Sequence, residues 1–353
     1  MRIASVRSAF PEPVYDQDEI ATFLCRLWEG QPAVQRRVRS FHEHTGVRRR
    51  HLALPIEEYL RLDSFGRSND AWIARALELG ERAIPEALAA CGLGVADVDV
   101  LFTVSVTGVA SPALDARLAN RLPFRSDFKR VPIFGLGCVA GVAGLARAAD
   151  YLRAYPDQVA VLLSVELCSL TFQPGDLSVQ HLVSTALFGD GAAAVVMVGE
   201  ERARAMGLEA PRVRESLSVF YPDTEEVMGW RISEKGFEIV LSEAVPAIAR
   251  ERLAPDVLGF LDRRGLGVGD VATWVCHPGG PKVLEAVEDG LGIPAEALAL
   301  SWRSLAECGN LSSTSVLLVL EETLRGSRPA PGSLGLMVAM GPAFCSELVL
   351  FEW

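Results

Sequence analysis

The chain has 353 residues, half of them hydrophobic, and a formal net charge of −11. That length allows two domains, or two fused halves, of about 100–200 residues each. The acid excess argues against a general nucleic-acid binder, which needs surplus Lys and Arg to meet phosphate.

Seven cysteines are scattered without a CxxC pair, so neither a disulfide framework nor a zinc site is expected, and a reducing cytoplasm fits. Met1–Arg7 lacks the apolar core of a signal peptide. Apolar runs elsewhere stop short of about 18 residues, so no membrane span is expected.

Strand-like apolar runs alternate with helical patterns along the chain, the mark of an α/β protein. Arg2–Ser8 reads as a first strand and Ala71–Cys91 as a long amphipathic helix. Val98–Ser105 is a buried strand running into a loop at Thr107-Gly108. Phe134-Gly135-Leu136-Gly137-Cys138-Val139-Ala140-Gly141 leads into a helix of small residues, followed by a strand over Val159–Val165. Phe188–Val198 turns on its glycines into a further strand. Residues 200–235 are mixed, with an exposed turn from Tyr221 to Glu226. A strand ends at His277, helices start near Pro281 and Ser312, and Leu334–Met340 and Cys345–Phe351 close the chain. The organisation expected is two similar α/β halves, 1–205 and 206–353.

Three turns carry chemistry. Cys138 stands at a helix N-terminus, where the dipole and free N–H groups favour thiolate, the nucleophilic form. The flanking glycines allow close approach by a substrate or another backbone, although a buried cysteine can equally be structural. His277, in Trp274-Val275-Cys276-His277-Pro278-Gly279-Gly280-Pro281, lies where a buried strand meets a Pro/Gly turn, the end of α/β strands at which ligands gather. Asn310, in Gly309-Asn310-Leu311-Ser312-Ser313, precedes a long helix and alone reads as a cap.

Cys, His and Asn in this order, each in a glycine-rich turn, match the thiolase superfamily. More narrowly, Gly137-Cys138-x-Ala140-Gly141, Ala186-Leu187-Phe188-Gly189-Asp190-Gly191-Ala192-Ala193-Ala194, His277-Pro278-Gly279-Gly280-Pro281 and Gly309-Asn310-Leu311-Ser312-Ser313 resemble the type III polyketide synthases of the chalcone and stilbene synthase family, over nearly the whole chain. The resemblance implies a thiolase-like, layered αβαβα fold and an acyltransferase that needs no cofactor beyond its coenzyme A thioester substrates, and no metal. Cys138 would take an acyl group as a thioester. Malonyl-CoA would lose carbon dioxide, with His277 and Asn310 donating hydrogen bonds to the enolate oxygen, and His277 could hold Cys138 as thiolate by ion pairing.

The same resemblance implies that Phe188 and Phe237 gate the junction between the CoA tunnel and the reaction cavity. It also implies that Cys168 and Thr171 line that cavity. Arg36, Arg37 and Arg39, with Arg48–Arg50, form a basic concentration that would meet CoA phosphates. Arg37 leads among these, and His44 stands where plant relatives carry another basic residue. An acyl carrier protein could use the same patch, and a homodimer is implied.

The departures matter for the product. Ala343, in Gly341-Pro342-Ala343, replaces a common glycine beside the cyclisation cavity and should restrict the backbone there. Ser111 replaces a methionine of plant enzymes in the loop that reaches a partner's cavity, and the Phe172–Phe188 loop is one residue shorter. Ser111-Pro112-Ala113-Leu114-Asp115-Ala116-Arg117-Leu118 resembles bacterial members, many of which take long fatty acyl starters, so the expected product is an alkylpyrone or alkylresorcinol. The rival readings are a single-extension β-ketoacyl-ACP synthase III-like enzyme and a non-catalytic partner subunit.

Overall fold

The protein is described by a computed structural model covering residues 1–326 and 329–353. Nine strands among the described residues share one mixed sheet. They are β1 (Arg2–Ala9), β2 (Val100–Ser105), β3 (Lys129–Phe134), β4 (Val159–Leu167), β5 (Asp190–Val198), β6 (Arg212–Phe220), β7 (Val271–Cys276), β8 (Leu334–Gly341) and β9 (Cys345–Glu352). The spatial order is β7-β8-β9-β6-β1-β5-β4-β2-β3.

The order contains an internal repeat. β2 runs parallel to β4, and β5 and β1 follow antiparallel. In the second half β7 runs parallel to β8, and β9 and β6 follow antiparallel in the same way. Only β3 lacks a counterpart. The two halves meet at a single pairing, Arg2 with Arg212.

Eight longer helices are used below: α1 (Gln17–Leu27), α2 (Pro32–His44), α3 (Phe65–Ala89), α4 (Ala140–Ala154), α5 (Val179–Leu187), α6 (Ala254–Asp262), α7 (Pro281–Leu291) and α8 (Ser315–Arg325). Strand alternation sorts their packing, because successive side chains leave a strand on opposite faces. Val159, Val161, Leu163 and Val165 of β4 pack outward with Ala76, Ala83 and Ile84 of α3. Ala160 and Leu162 face inward, onto a core shared with Val142, Leu145 and Ala149 of α4 and Val316, Leu317 and Leu320 of α8. Val275, Met337, Val349 and Phe351 of the second half close that core from the other side. Trp274, Leu336, Val338 and Leu348 point away from it, to Val257 and Phe260 of α6 and Leu284 and Val287 of α7. The result is the five-layer αβαβα arrangement, with α4 and α8 as the shared middle layer.

Several elements extend beyond the sequence reading. α3 starts at Phe65, six residues before the expected Ala71, because Ser64 supplies a side-chain cap to the Arg67 N–H. The mixed stretch 200–235 holds β6, a full strand at the seam between the halves, whose polar Arg212, Arg214 and Glu215 obscure its pattern. It also holds the first arm, Met228–Ser233, of a hairpin completed by Gly236–Leu241. Tyr221, expected in an exposed turn, is buried, and its hydroxyl bonds Asp256 and Ser346.

The middle layer is close-packed at its site end. A Cβ on Gly141, in the first turn of α4, would lie 2.3 Å from the Ser313 carbonyl oxygen and 2.7 Å from Val316 Cγ1. Gly141→Ala should therefore destabilise the fold by about 2–3 kcal/mol. Gly66→Ala, in open space within α3, should be neutral or stabilising by up to ~1 kcal/mol. Denaturant titration of both variants checks the contrast, and equal effects would contradict it.

Candidate active site

Three turns converge where the middle layer meets the strand ends. The first follows β3. Gly135 and Gly137 take φ of 92° and 56°, values open to glycine at little cost. Cys138 then sits in a 3₁₀ turn, Gly137–Val139, leading into α4. The second follows β7, where His277 is the first residue beyond the strand and its N–H donates to the Val338 carbonyl. The third precedes α8, with Asn310 on a backbone bridge to Phe188.

Contacts join the three. Cys138 Sγ lies 3.6 Å from Ser312 Oγ. The Asn310 amide uses both ends: Oδ1 accepts from the Ser312 N–H at 2.8 Å, and Nδ2 donates to the Gly279 carbonyl at 3.1 Å. Gly279 belongs to the His277 turn, and its N–H donates to the His277 carbonyl at 3.0 Å. Ser312 holds a φ of 47° without being glycine, a strained setting of the kind that collects at functional sites. The turn at Gly341-Pro342-Ala343 packs on the Cys138 turn, since a Cβ on Gly137 would fall 2.6 Å from Pro342 Cδ.

Burial governs the electrostatics. It pushes the Cys138 thiol up to about 12, with the Ser312 contact opposing and the nearby Glu166 adding to the shift. Burial alone pushes His277 down to about 4. Both ring nitrogens of His277 are buried without a partner, and no hydrogen bond joins it to Cys138. The expected ion pair with His277 is not formed: Cys138 meets Ser312 instead, the imidazole has no partner, and burial opposes charge on both groups. Removal from water penalises either charged form.

Glu166 is a buried carboxyl that the sequence reading passed over. It accepts hydrogen bonds from the Ser313 hydroxyl, the Val106 N–H at 3.1 Å and Thr107 Oγ1 at 2.9 Å, while burial raises its pKa. It links β4 to the turn before α8.

The other anticipated residues spread over three cavities. The largest, about 1310 Å³, lies between residues 59–69, 170–180 and the hairpin, and includes Thr107, Thr171 and Phe237. One of about 390 Å³ reaches Gly135, Trp230, Phe237, Pro342 and Ala343. A small apolar one of about 70 Å³ includes Cys168, Thr171, Phe172 and Phe188. Cys138, His277 and Asn310 line none of the three. Phe188 and Phe237 do not touch directly; Trp230 lies between them, with ring centroids at 6.3 and 6.2 Å. Trp230 carried no signal, since it falls in the stretch whose hairpin was not legible.

Ser111 is exposed and lines none of these cavities. Arg36, Arg37 and His44 are exposed on α2, and neither arginine forms an ion pair among the described residues. Arg48 and Arg49 instead pair with Glu307, and Arg50 is buried. The basic concentration is thus split, with only its α2 part free. Ala343 has a φ of 100°, so its methyl sits where glycine would be relaxed.

Linkage tests the state of His277. The unfolded imidazole protonates below about 6.5 and the folded one only near 4, so acid favours the unfolded chain between those values. From pH 7 to 4.5 the stability of the parent relative to His277→Gln should fall by about 2–3 kcal/mol. A rise would mean a protonated, ion-paired imidazole. Ala343→Gly should raise stability by about 1 kcal/mol, and a lowered unfolding midpoint would contradict the strain.

The comparisons with known proteins agree on one family. Residues 2–201 match the sequence model for chalcone and stilbene synthases, N-terminal domain, and residues 212–352 that for the C-terminal domain. A 1,3,6,8-tetrahydroxynaphthalene synthase of Streptomyces peucetius is 51% identical, over 99% of this chain and 93% of its own length. A putative chalcone synthase of Bacillus subtilis is 36% identical, over 99% and 98%. Among solved structures, the tetrahydroxynaphthalene synthase of Streptomyces coelicolor, a bacterial type III polyketide synthase, superposes with a TM-score of 0.92 at 32% identity, covering 100% of this chain and 99% of that one.

Proposed function

The chain belongs to the chalcone and stilbene synthase family of type III polyketide synthases, acyltransferases that condense coenzyme A thioesters, and we propose that this one builds a tetrahydroxynaphthalene-type aromatic from malonyl-CoA alone. The observation carrying the proposal is the 51% identity, over nearly the full chain, to a synthase named for that product. The product name holds ten ring carbons, oxygens at alternate positions and no alkyl chain. A malonate-primed chain extended four times, with loss of one carboxyl carbon, supplies that skeleton. We place this reading ahead of the expected fatty acyl starter and alkylpyrone or alkylresorcinol product, because a relative named for α-pyrone synthesis is only 30% identical.

The residues take the following roles. As a malonyl thioester arrives, the Cys138 proton passes to a free ring nitrogen of His277, and the thiolate attacks the carbonyl. The carbon–sulfur bond to CoA breaks, and the departing CoA thiolate takes the proton back. A second malonyl-CoA loses carbon dioxide, and its electron pair forms an enolate. Nδ2–H of Asn310 and the N–H of neutral His277 donate to the enolate oxygen, a preorganised arrangement worth about 10²–10³ in rate per donor. The enolate attacks the Cys138 thioester, a carbon–carbon bond forms, and Cys138 leaves as thiolate for the next cycle.

After the last extension, the primer's terminal carboxyl leaves as carbon dioxide. That creates the carbanion which closes the second ring onto the thioester.

Phe188, Trp230 and Phe237 form the aromatic wall where the CoA arm meets the cavity, with Cys168 and Thr171 lining the cavity beyond. Arg36 and Arg37 supply the exposed positive charge for the CoA phosphates, with His44 beside them at the end of the same helix. The halves divide near residue 205. Seven free cysteines fit a reducing compartment such as the cytoplasm, and no helix among the described residues is long and apolar enough to cross a membrane. A second copy of the chain, reached through the exposed Ser111 loop, completes the working unit.

Product analysis by mass spectrometry tests this reading. Malonyl-CoA alone should give a ten-carbon tetrahydroxylated aromatic, with none formed by Cys138→Ala. A requirement for a long acyl-CoA, with its tail kept in the product, would restore the alkylpyrone reading. A single-extension linear product would support a ketoacyl synthase.

A further inference from the structure

Arg50 is the most deeply buried cation of the described residues, at 2% exposure. Its neighbours Arg48 and Arg49 pair with Glu307, whereas Arg50 forms no ion pair among the described residues. Burial pushes it down to about 10, with the field of Asp190 opposing, so it remains charged near neutrality. A buried, unpaired cation is costly, and its hydrogen bonds indicate what the charge does there.

Those bonds all serve the end of α5. Arg50 Nη1 donates to the Phe188 carbonyl at 2.7 Å, and Nε donates to Gln17 Oε1 at 3.1 Å. Gln17 Nε2 donates in turn to the Ala186 carbonyl at 2.7 Å. The carbonyl between them, Leu187, accepts from the N–H of Asn310 at 2.8 Å, and the Asn310 carbonyl accepts from the Gly189 N–H at 3.0 Å. Three successive carbonyls at the negative end of a helix are thus held by Gln17, Asn310 and Arg50. The Arg50 stem also lies under the Asn310 turn: a Cβ on Gly309 would fall 3.0 Å from Arg50 Cδ and 2.7 Å from the Leu187 carbonyl oxygen.

We propose that Arg50, braced by Gln17, is a positioning residue that fixes the Phe188–Asn310 joint and so sets where the Asn310 amide meets the enolate oxygen. The inference rests on the proposed role of Asn310. The planar guanidinium fork is what reaches Gln17 and Phe188 together; a single ammonium does not reproduce it. The steps served by Asn310 should therefore depend on Arg50, while acylation of Cys138 should not.

The test compares two rates in Arg50→Lys, at a temperature where the variant is folded. One is single-turnover loading of malonyl onto Cys138, and the other is steady-state decarboxylative condensation with malonyl-CoA. The ratio of condensation to loading should fall roughly 10- to 100-fold, with the KM for malonyl-CoA within about twofold. A merely structural arginine would lower the unfolding temperature and the active fraction but leave the ratio unchanged, and that result overturns the proposal. Gln17→Leu removes the brace while keeping the charge; it should lower the ratio in the same direction, and it decides the matter if Arg50→Lys does not fold. Asn310→Ala separates the two readings. An unchanged ratio there sinks the role of Asn310 itself, whereas a lowered ratio there with a parent-like ratio in Arg50→Lys and Gln17→Leu sinks only the positioning role.

Discussion

The contact between the first turn of α4 and the turn before α8 sets the rest of the architecture. These helices occupy equivalent places in the two repeats, and each opens at the site: α4 just after Cys138, α8 just after Asn310 and Ser312. Gly141 against the Ser313 carbonyl lets the two openings approach until Cys138 Sγ meets Ser312 Oγ. A side chain at Gly141 would separate them. Duplicated half-folds place two helix N-termini face to face, one just after the candidate nucleophile Cys138 and the other just after the candidate amide donor Asn310.

Burial then shapes the chemistry. Cys138, His277 and Asn310 are all nearly inaccessible, and both charged forms of the thiol–imidazole pair are disfavoured. Under the proposed mechanism, such a dry setting would strengthen hydrogen bonds to the developing oxyanion and keep the enolate from water. The structure supports the arrangement from behind with buried polar groups. Glu166 gathers four donors between β4 and the α8 turn, and Arg50 donates to the Phe188 carbonyl at the end of α5. These groups make no direct bond to the three candidate side chains, but they fix the loops that carry them.

What the sequence disclosed follows from the physics of each element. Buried strands such as β4 and β5 are apolar throughout, and their runs stand out without an alignment. The turns bearing Cys138, His277 and Asn310 stand out because tight strand-to-helix turns need glycine or proline. β6 and the hairpin were illegible: one is a seam strand with charged residues on its exposed side, the other a two-stranded ribbon packed on one face. Trp230 was lost with the hairpin. Ser312 lay within a recognised motif, but its positive φ and its contact with Cys138 depend on tertiary packing. Arg50 was read with Arg48 and Arg49 as one basic cluster, since a charge run does not reveal that its third member turns inward. The burial that opposes charge on Cys138 was hidden for a related reason: helix-end electrostatics can be read locally, whereas desolvation depends on the whole fold.

The most direct test of the account is peptide mapping by mass spectrometry after a brief exposure to isotopically labelled malonyl-CoA. The account predicts a labelled acyl thioester on the peptide containing Cys138 and on none of the other six cysteines. Label on Cys168 or another cysteine, or turnover without any covalent intermediate, would contradict it.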